Sequence, residues 1–143
     1  MAELSRFESR SASVSCAGEK FYRFITDIRN FGRFIPAEVI KNWEADQTSC
    51  RFVLSGLGEM KLSIAGREPY SLVKFGGNAL NTVDFVLSSV ISDHNSGKAN
   101  VILVMEAHLN PIMKMVASGP IENFLETLVE EMEKFENWDS VTE

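Results

Sequence analysis

Two histidines, His94 and His108, and two cysteines, Cys16 and Cys50, are the only imidazole and thiol groups in this 143-residue chain. A structural or catalytic metal site needs three or four ligands at recognisable spacing. Scattered as they are, these four residues make no such set, and neither a metal nor another cofactor is expected. Glu106 and His108 lie two residues apart in a strand-like run, so they share one face and could form a carboxylate–imidazole pair for proton transfer. Leu103 and Met105 have the opposite parity. With those two facing the core the pair faces solvent, and that is the reading adopted. The chain has no GxSxG elbow, P-loop or GxGxxG. "GLGE" at 56–59 and "FGGN" at 75–78 read as turns between strands, not phosphate cradles. No nucleophile stands beside an evident base, so no catalytic residue is assigned.

Composition narrows the classes further. Hydrophobic residues are 45% and charged residues 24% of the chain, as in ordinary globular proteins, and the length suits one domain spanning residues 1–143. Residues 1–120 hold 13 Lys/Arg against 12 Asp/Glu, whereas residues 121–143 hold one Lys against eight acids, a net charge of −7. Neither part is a basic surface for phosphate backbones, so nucleic acid is not an expected partner. No apolar run approaches the roughly 18 residues of a membrane span. "MAELSRFESR" lacks a secretory apolar core, which points to the cytoplasm and to reduced thiols.

These residues need elements to carry them. "FESRSASVSC" (7–16) reads as a first strand. Phe21, Phe24, Ile25 and Ile28 then fall at i, i+3, i+4 and i+7, one face of a helix, with Ser15 or Cys16 near its N-cap and Glu19 in its first turn. A second short helix is expected to end before Pro36. From Val39 to Leu109 the period becomes two. Phe52 and Leu54, then Met60, Leu62 and Ile64, alternate with polar residues as in half-buried antiparallel strands. "YSLVKF" is taken to close at Gly76-Gly77. "TVDFVLSSVISD" and "NVILVMEAHL" are the longest strands, joined through a hairpin at Asn95-Ser96-Gly97. Helical spacing returns at the end: Asn110-Pro111 forms a cap, Ser118-Gly119-Pro120 a break and restart, and Ile121, Phe124, Leu125, Leu128, Met132 and Phe135 an apolar stripe opposite Glu122, Glu126, Glu130 and Glu133. The class is α+β, a meander of strands with one amphipathic helix on its apolar face.

"VSCAGEKFYRFITDIRNFGRFIP" and "VILVMEAHLNPIMKMVASGPIENFLETLVEEMEKF" resemble, respectively, the first strand end with paired short helices and the last strand with kinked gripping helix of the START-like (SRPBCC) helix-grip superfamily. That superfamily includes plant pathogenesis-related allergens, lipid-transfer domains and bacterial polyketide cyclase-like proteins, and the small single-domain bacterial members are the nearest group. The resemblance covers the whole chain and includes no catalytic signature. It implies a curved antiparallel sheet around a long C-terminal helix, with a cavity between them and a helix break at Gly119-Pro120 that opens room beneath.

Cavity-lining candidates on the strands are Trp43, Phe52, Leu54, Met60, Leu62 and Phe75, then Phe85, Leu87, Leu103 and Met105. On the helix they are Met113, Val116 and Ala117, where methionine suits irregular apolar space. Periodicity alone does not separate a lined cavity from a filled core. The expected function is binding of a small hydrophobic or amphipathic molecule, lipid-like or polyketide-like, by a monomer or homodimer. A polyketide cyclase or aromatase would instead need polar groups inside, so His108, Glu106, Asp84 or Arg67 would have to point inward. A third possibility is a chaperone-associated interaction domain using the acidic face of residues 122–139.

Overall fold

The computed structural model describes residues 3–35, 38, 40–54, 58–79, 83–93 and 98–135. Strands β1 (Glu3–Glu8) and β2 (Ala12–Val14) precede helices α1 (Gly18–Ile25) and α2 (Ile28–Phe31) and a 3-10 turn, Gly32–Phe34. Strands β3 (Ile40–Ala45), β4 (Ser49–Leu54), β5 (Gly58–Glu68), β6 (Leu72–Ala79), β7 (Val83–Asp93) and β8 (Ala99–Leu109) follow, and helix α3 (Pro111–Lys134) comes last. The strands form one curved antiparallel sheet in the order β1-β8-β7-β6-β5-β4-β3, with β2 also paired to β8. The meander over β3 to β8 is the one expected from the two-residue period.

The single first strand expected over 7–16 is two strands. Ser9 still donates its N–H to the Leu103 carbonyl (2.8 Å), but its Oγ, not its backbone carbonyl, accepts the Leu103 N–H (2.9 Å), and the ladder stops there. Arg10 then turns outward and bonds both carboxylate oxygens of Glu133 (2.8 and 2.9 Å) and one of Glu126 (3.2 Å), tying the β1–β2 corner to α3. Glu133 also accepts the Ser13 N–H (3.1 Å), so it belongs to this junction rather than to a free acidic face. Glu122, Glu126 and Glu130 are exposed.

The α1 cap is Ala17 and uses no side chain. Ser15 and Cys16, expected near the cap, directly precede it: Ser15 Oγ donates to the Phe135 carbonyl (3.1 Å) and Cys16 is buried. Ile28 opens α2 instead of continuing the α1 stripe, because Asp27 accepts the Arg29 N–H (3.1 Å) and starts a new helix. The Arg29 guanidinium, 2.6 Å away, donates to the Asp27 carboxylate and holds it below the usual range for Asp. A carboxylate depressed in the folded state adds stability above its unfolded value, and that stability disappears as pH falls towards the folded value. Asp27→Asn keeps a capping oxygen and is therefore expected to flatten the loss of stability below about pH 4, as read from urea unfolding across a pH series.

Two further expectations change within the sheet and helix. Gly76 and Gly77 do not close β6, which runs through them to Ala79. A Cβ on Gly77 would lie 2.3 Å from Phe85 Cζ, so this glycine lets the partner ring lie flat on the strand. The β5–β6 turn falls earlier, at 69–71, where Tyr70 has φ 71° and the Ser71 N–H bonds the Glu68 carbonyl (3.0 Å). β5 matches β7 and β8 at 11 residues each. The hairpin tips at 55–57 and 94–97 lie outside the described residues. Helix α3 begins as expected, with Asn110 Oδ1 accepting the Met113 N–H (2.8 Å) and Pro111 at its first position. It does not restart at 118–120: one helix runs through Gly119-Pro120, and the Ser118 hydroxyl donates back to the Lys114 carbonyl.

Between sheet and helices lies a core containing Phe21, Phe24, Phe31, Phe34, Leu125 and Leu128. Both cysteines are buried and joined by no disulfide, and burial pushes the Cys50 thiol up to about 12. Ser89 is also fully buried, on the inner face of β7, and its hydroxyl has no hydrogen-bond partner. An orphaned buried hydroxyl carries a desolvation cost. Ser89→Ala is accordingly expected to raise the unfolding free energy by about 1 kcal/mol, seen as a higher urea midpoint with an unchanged slope.

Candidate functional site

At the end of the sheet where α3 begins, packing is incomplete and an apolar cavity of about 230 Å³ remains. Inner-face residues of four strands form its floor: Met60 on β5, Ala79 on β6, Val83 and Phe85 on β7, and Met105, Ala107 and Leu109 on β8. Its roof is the first half of α3, with Ile112, Met113, Val116, Ala117 and Ile121. The helix runs here as a thin cover. Met113 and Ala117 are half-buried, whereas Ile112 and Val116 are 74% and 69% exposed although they also line the cavity. Proline at 120 has no N–H, so the Val116 carbonyl, four residues back, loses its helical donor.

Six of the candidate lining residues meet at this cavity: Met60, Phe85, Met105, Met113, Val116 and Ala117. The other seven do not, because the helices fill the rest of the sheet. Phe75 packs against Phe31 at 5.3 Å between ring centroids, and Phe52 sits between Trp43 (5.6 Å) and Phe124 (6.4 Å). Trp43 itself lies against Gly32, where a Cβ would be 2.6 Å from its Cζ2. Leu54, Leu62, Leu87 and Leu103 are core residues at 0–3% exposure.

Sequence reasoning missed Ala79, Val83, Ala107, Leu109 and Ile121 as lining residues. Each continues the inward parity of its strand or the apolar stripe of the helix. The usable signal was size: Ala79, Ala107 and Ala117 are alanines at inward positions, where a filled core would call for larger side chains.

None of the lining side chains is polar. The four residues on which a catalytic reading depends are elsewhere: Glu106 is half-buried on the outer face of β8, and His108, Asp84 and Arg67 are exposed. Among the described residues no three His, Cys, Asp or Glu side chains group as metal ligands. No helix among them is long and apolar enough to cross a membrane.

No protein-family model and no curated protein sequence matches the chain. Solved structures do. Norcoclaurine synthase from Thalictrum flavum aligns with a TM-score of 0.70 at 11% identity, over 93% of this chain and 86% of that one. Its complex with dopamine and hydroxybenzaldehyde gives 0.67 at 12%, over 93% and 86%. A conserved protein from Geobacillus kaustophilus gives 0.68 at 11%, over 92% and 93%. What these structures share with the chain is the fold, a helix grip in which a curved antiparallel sheet closes around a long C-terminal helix. In this helix-grip chain the grip is tight over the second half of α3, where Ile121, Phe124, Leu125, Leu128, Val129 and Met132 are buried, and loose over the first half. The cavity occupies the loose half.

Proposed function

We propose that this chain binds a small, uncharged, largely apolar molecule, the size of a single aromatic ring or short branched chain, between sheet and first half of α3. The observation that carries this reading is the 230 Å³ cavity lined by apolar side chains alone. An apolar cavity of about 150 Å³ stays dry and takes up benzene, whereas drug-sized ligands need roughly 300 Å³ or more. The volume therefore supports a ligand somewhat larger than benzene and argues against enclosing a long acyl chain. With no polar group inside, any polar end of the ligand rests at the mouth. The same absence weighs against a cyclase or aromatase reaction, which requires positioned polar groups around the reacting chain. Support for the size class comes also from the Thalictrum synthase, whose complex holds dopamine and hydroxybenzaldehyde, both single-ring molecules. We place the protein in the cytoplasm, since two buried thiols that form no disulfide need no oxidising compartment. It acts as a monomer or as a homodimer through the end strands β1 and β3.

The chain carries its own reporters. Met60, Met105 and Met113 line the cavity, Met132 is buried in the core and Met115 is 81% exposed. Titration with p-xylene of protein labelled at its methionine methyl carbons should shift the first three signals saturably and leave Met132 and Met115 in place. Unmoved cavity signals, or a shift of Met115 alone, would count against the site.

A further inference from the structure

The floor of the apolar cavity differs from the rest of the core in how its aromatic ring is used. Phe24, Phe31, Phe34, Phe52 and Phe75 each pack against another ring. Phe85 is also buried, yet among the described residues no other ring touches it, and it lines the cavity instead.

Its orientation follows from Gly77, directly opposite it on β6. A Cβ on Gly77 would lie 2.3, 2.5 and 2.8 Å from Cζ, Cε1 and Cε2 of the Phe85 ring. A ring pointing its tip at the glycine would bring Cζ alone so close. Three neighbouring atoms at similar distances mean that a face of the ring covers Gly77, the arrangement by which an aromatic side chain shields a glycine in a sheet. The opposite face therefore turns away from β6, towards the space beneath α3. The side chains beside the ring are small. Ala107 stands opposite Phe85 on β8, and Ala79 lies two residues beyond Gly77 on the same face of β6. Both line the cavity, and neither is long enough to stand over the ring. Met60, Met105 and Met113 also line the space. Thioether sulfur makes favourable contacts at the edge of an aromatic ring.

We infer that the cavity selects an aromatic ring, laid face to face on Phe85 with its edge towards the methionines, and that Gly77 fixes this selectivity by keeping the Phe85 ring down on β6. The inference rests on the cavity reading above and chooses between the two ligand shapes it allows. An aromatic ligand gains ring stacking on the floor and sulfur contacts at the rim. A branched or saturated hydrocarbon of equal size gains only burial. Any side chain at position 77 lifts the Phe85 ring into the volume the ligand would occupy, so the one glycine sets both the depth of the site and the face it offers.

The test compares p-xylene with trans-1,4-dimethylcyclohexane, the saturated molecule with the same carbon skeleton, in titrations of the full chain followed at its methionine methyls and Phe85 ring protons. Burial alone predicts equal or tighter binding of the saturated molecule, since it hides at least as much apolar area. Stacking predicts that p-xylene binds at least about threefold more tightly and moves the Phe85 ring protons upfield. Gly77→Ala is expected to weaken p-xylene binding by more than about tenfold. Adding Phe85→Leu to Gly77→Ala removes the clash, and the double variant should bind both molecules again without preference. Equal binding of the two by the wild type, unmoved Phe85 protons, or p-xylene binding by Gly77→Ala as tight as the wild type would each overturn the inference. The wild-type comparison decides the matter even if a variant fails to fold. Methyl shifts that saturate alike with both molecules would leave the cavity standing and remove its selectivity, whereas no methyl shift with either would remove both.

Discussion

Met113→Trp is expected to leave the protein folded and to weaken p-xylene binding by more than about tenfold, roughly the 1.4 kcal/mol per decade expected of a blocked site. The reasoning turns on where this side chain sits. Its backbone N–H is pinned by Asn110 Oδ1 at 2.8 Å, so the residue cannot easily back away from the sheet. Its side chain is half-buried and projects over a cavity of about 230 Å³. An indole placed there occupies space that is already empty. In a close-packed core the same enlargement forces neighbours off their rotamers and costs about 1–3 kcal/mol. Urea unfolding and p-xylene titration of the same variant therefore separate the two cases. Near-wild-type stability with lost binding supports the cavity. Lost stability with unchanged binding would mean that the space beneath α3 is filled in solution.

Much of the architecture was legible because it rests on periodicity. The two-residue alternation from Phe52 to Leu109 and the stripe from Ile121 to Met132 each assign one face to the core, and a sheet with one apolar face needs a helix to cover it. What was misread depended on single side chains acting at a distance. Gly76-Gly77 looked like a strand end because glycine pairs usually mark turns, but the requirement for Gly77 comes from Phe85 on the neighbouring strand. The break at 9–11 was invisible for a similar reason: the Ser9 hydroxyl takes the Leu103 N–H in place of the Ser9 carbonyl, and Arg10 leaves the strand to reach Glu126 and Glu133. Ser118-Gly119-Pro120 was taken to break and restart the long C-terminal helix, which instead runs through it as one helix. Local propensity is a weak prior, and tertiary packing overrode it here.

The candidate site was legible only as a set of inward-facing positions. Inward parity is the same for Phe52 and Met60, yet Phe52 is covered by Trp43 and Phe124 while Met60 opens into the cavity. The difference lies in which half of α3 passes overhead. That in turn follows from where the large apolar residues of the helix point: Ile112, Met115 and Val116 are exposed in the first half, whereas Ile121, Phe124, Leu125, Leu128, Val129 and Met132 are all buried in the second. The alanines at 79, 107 and 117 carry the same message in the sequence, since three small residues converge on one end of the fold.

Phe52→Ala tests that division from the other side, and its expected cost is the largest predicted here, about 3–5 kcal/mol. The ring is fully buried, with the Trp43 and Phe124 rings at 5.6 and 6.4 Å between centroids. Truncation removes the transfer free energy of the ring and leaves a void between two aromatic side chains held by different elements, β3 and α3. Trp43 is also wedged against Gly32, and Phe124 is buried within the gripping half of α3, so neither can collapse fully into the gap. Partial relaxation is what places a substitution at the costly end of the range. The p-xylene response of Met60, Met105 and Met113 in the folded fraction should nevertheless match the wild type, because the void opens under the second half of α3 and the cavity lies under the first. A cost below about 1 kcal/mol, or a change in the Met113 signal, would show that the two halves of the sheet share one loosely packed interior rather than a closed core beside an open site.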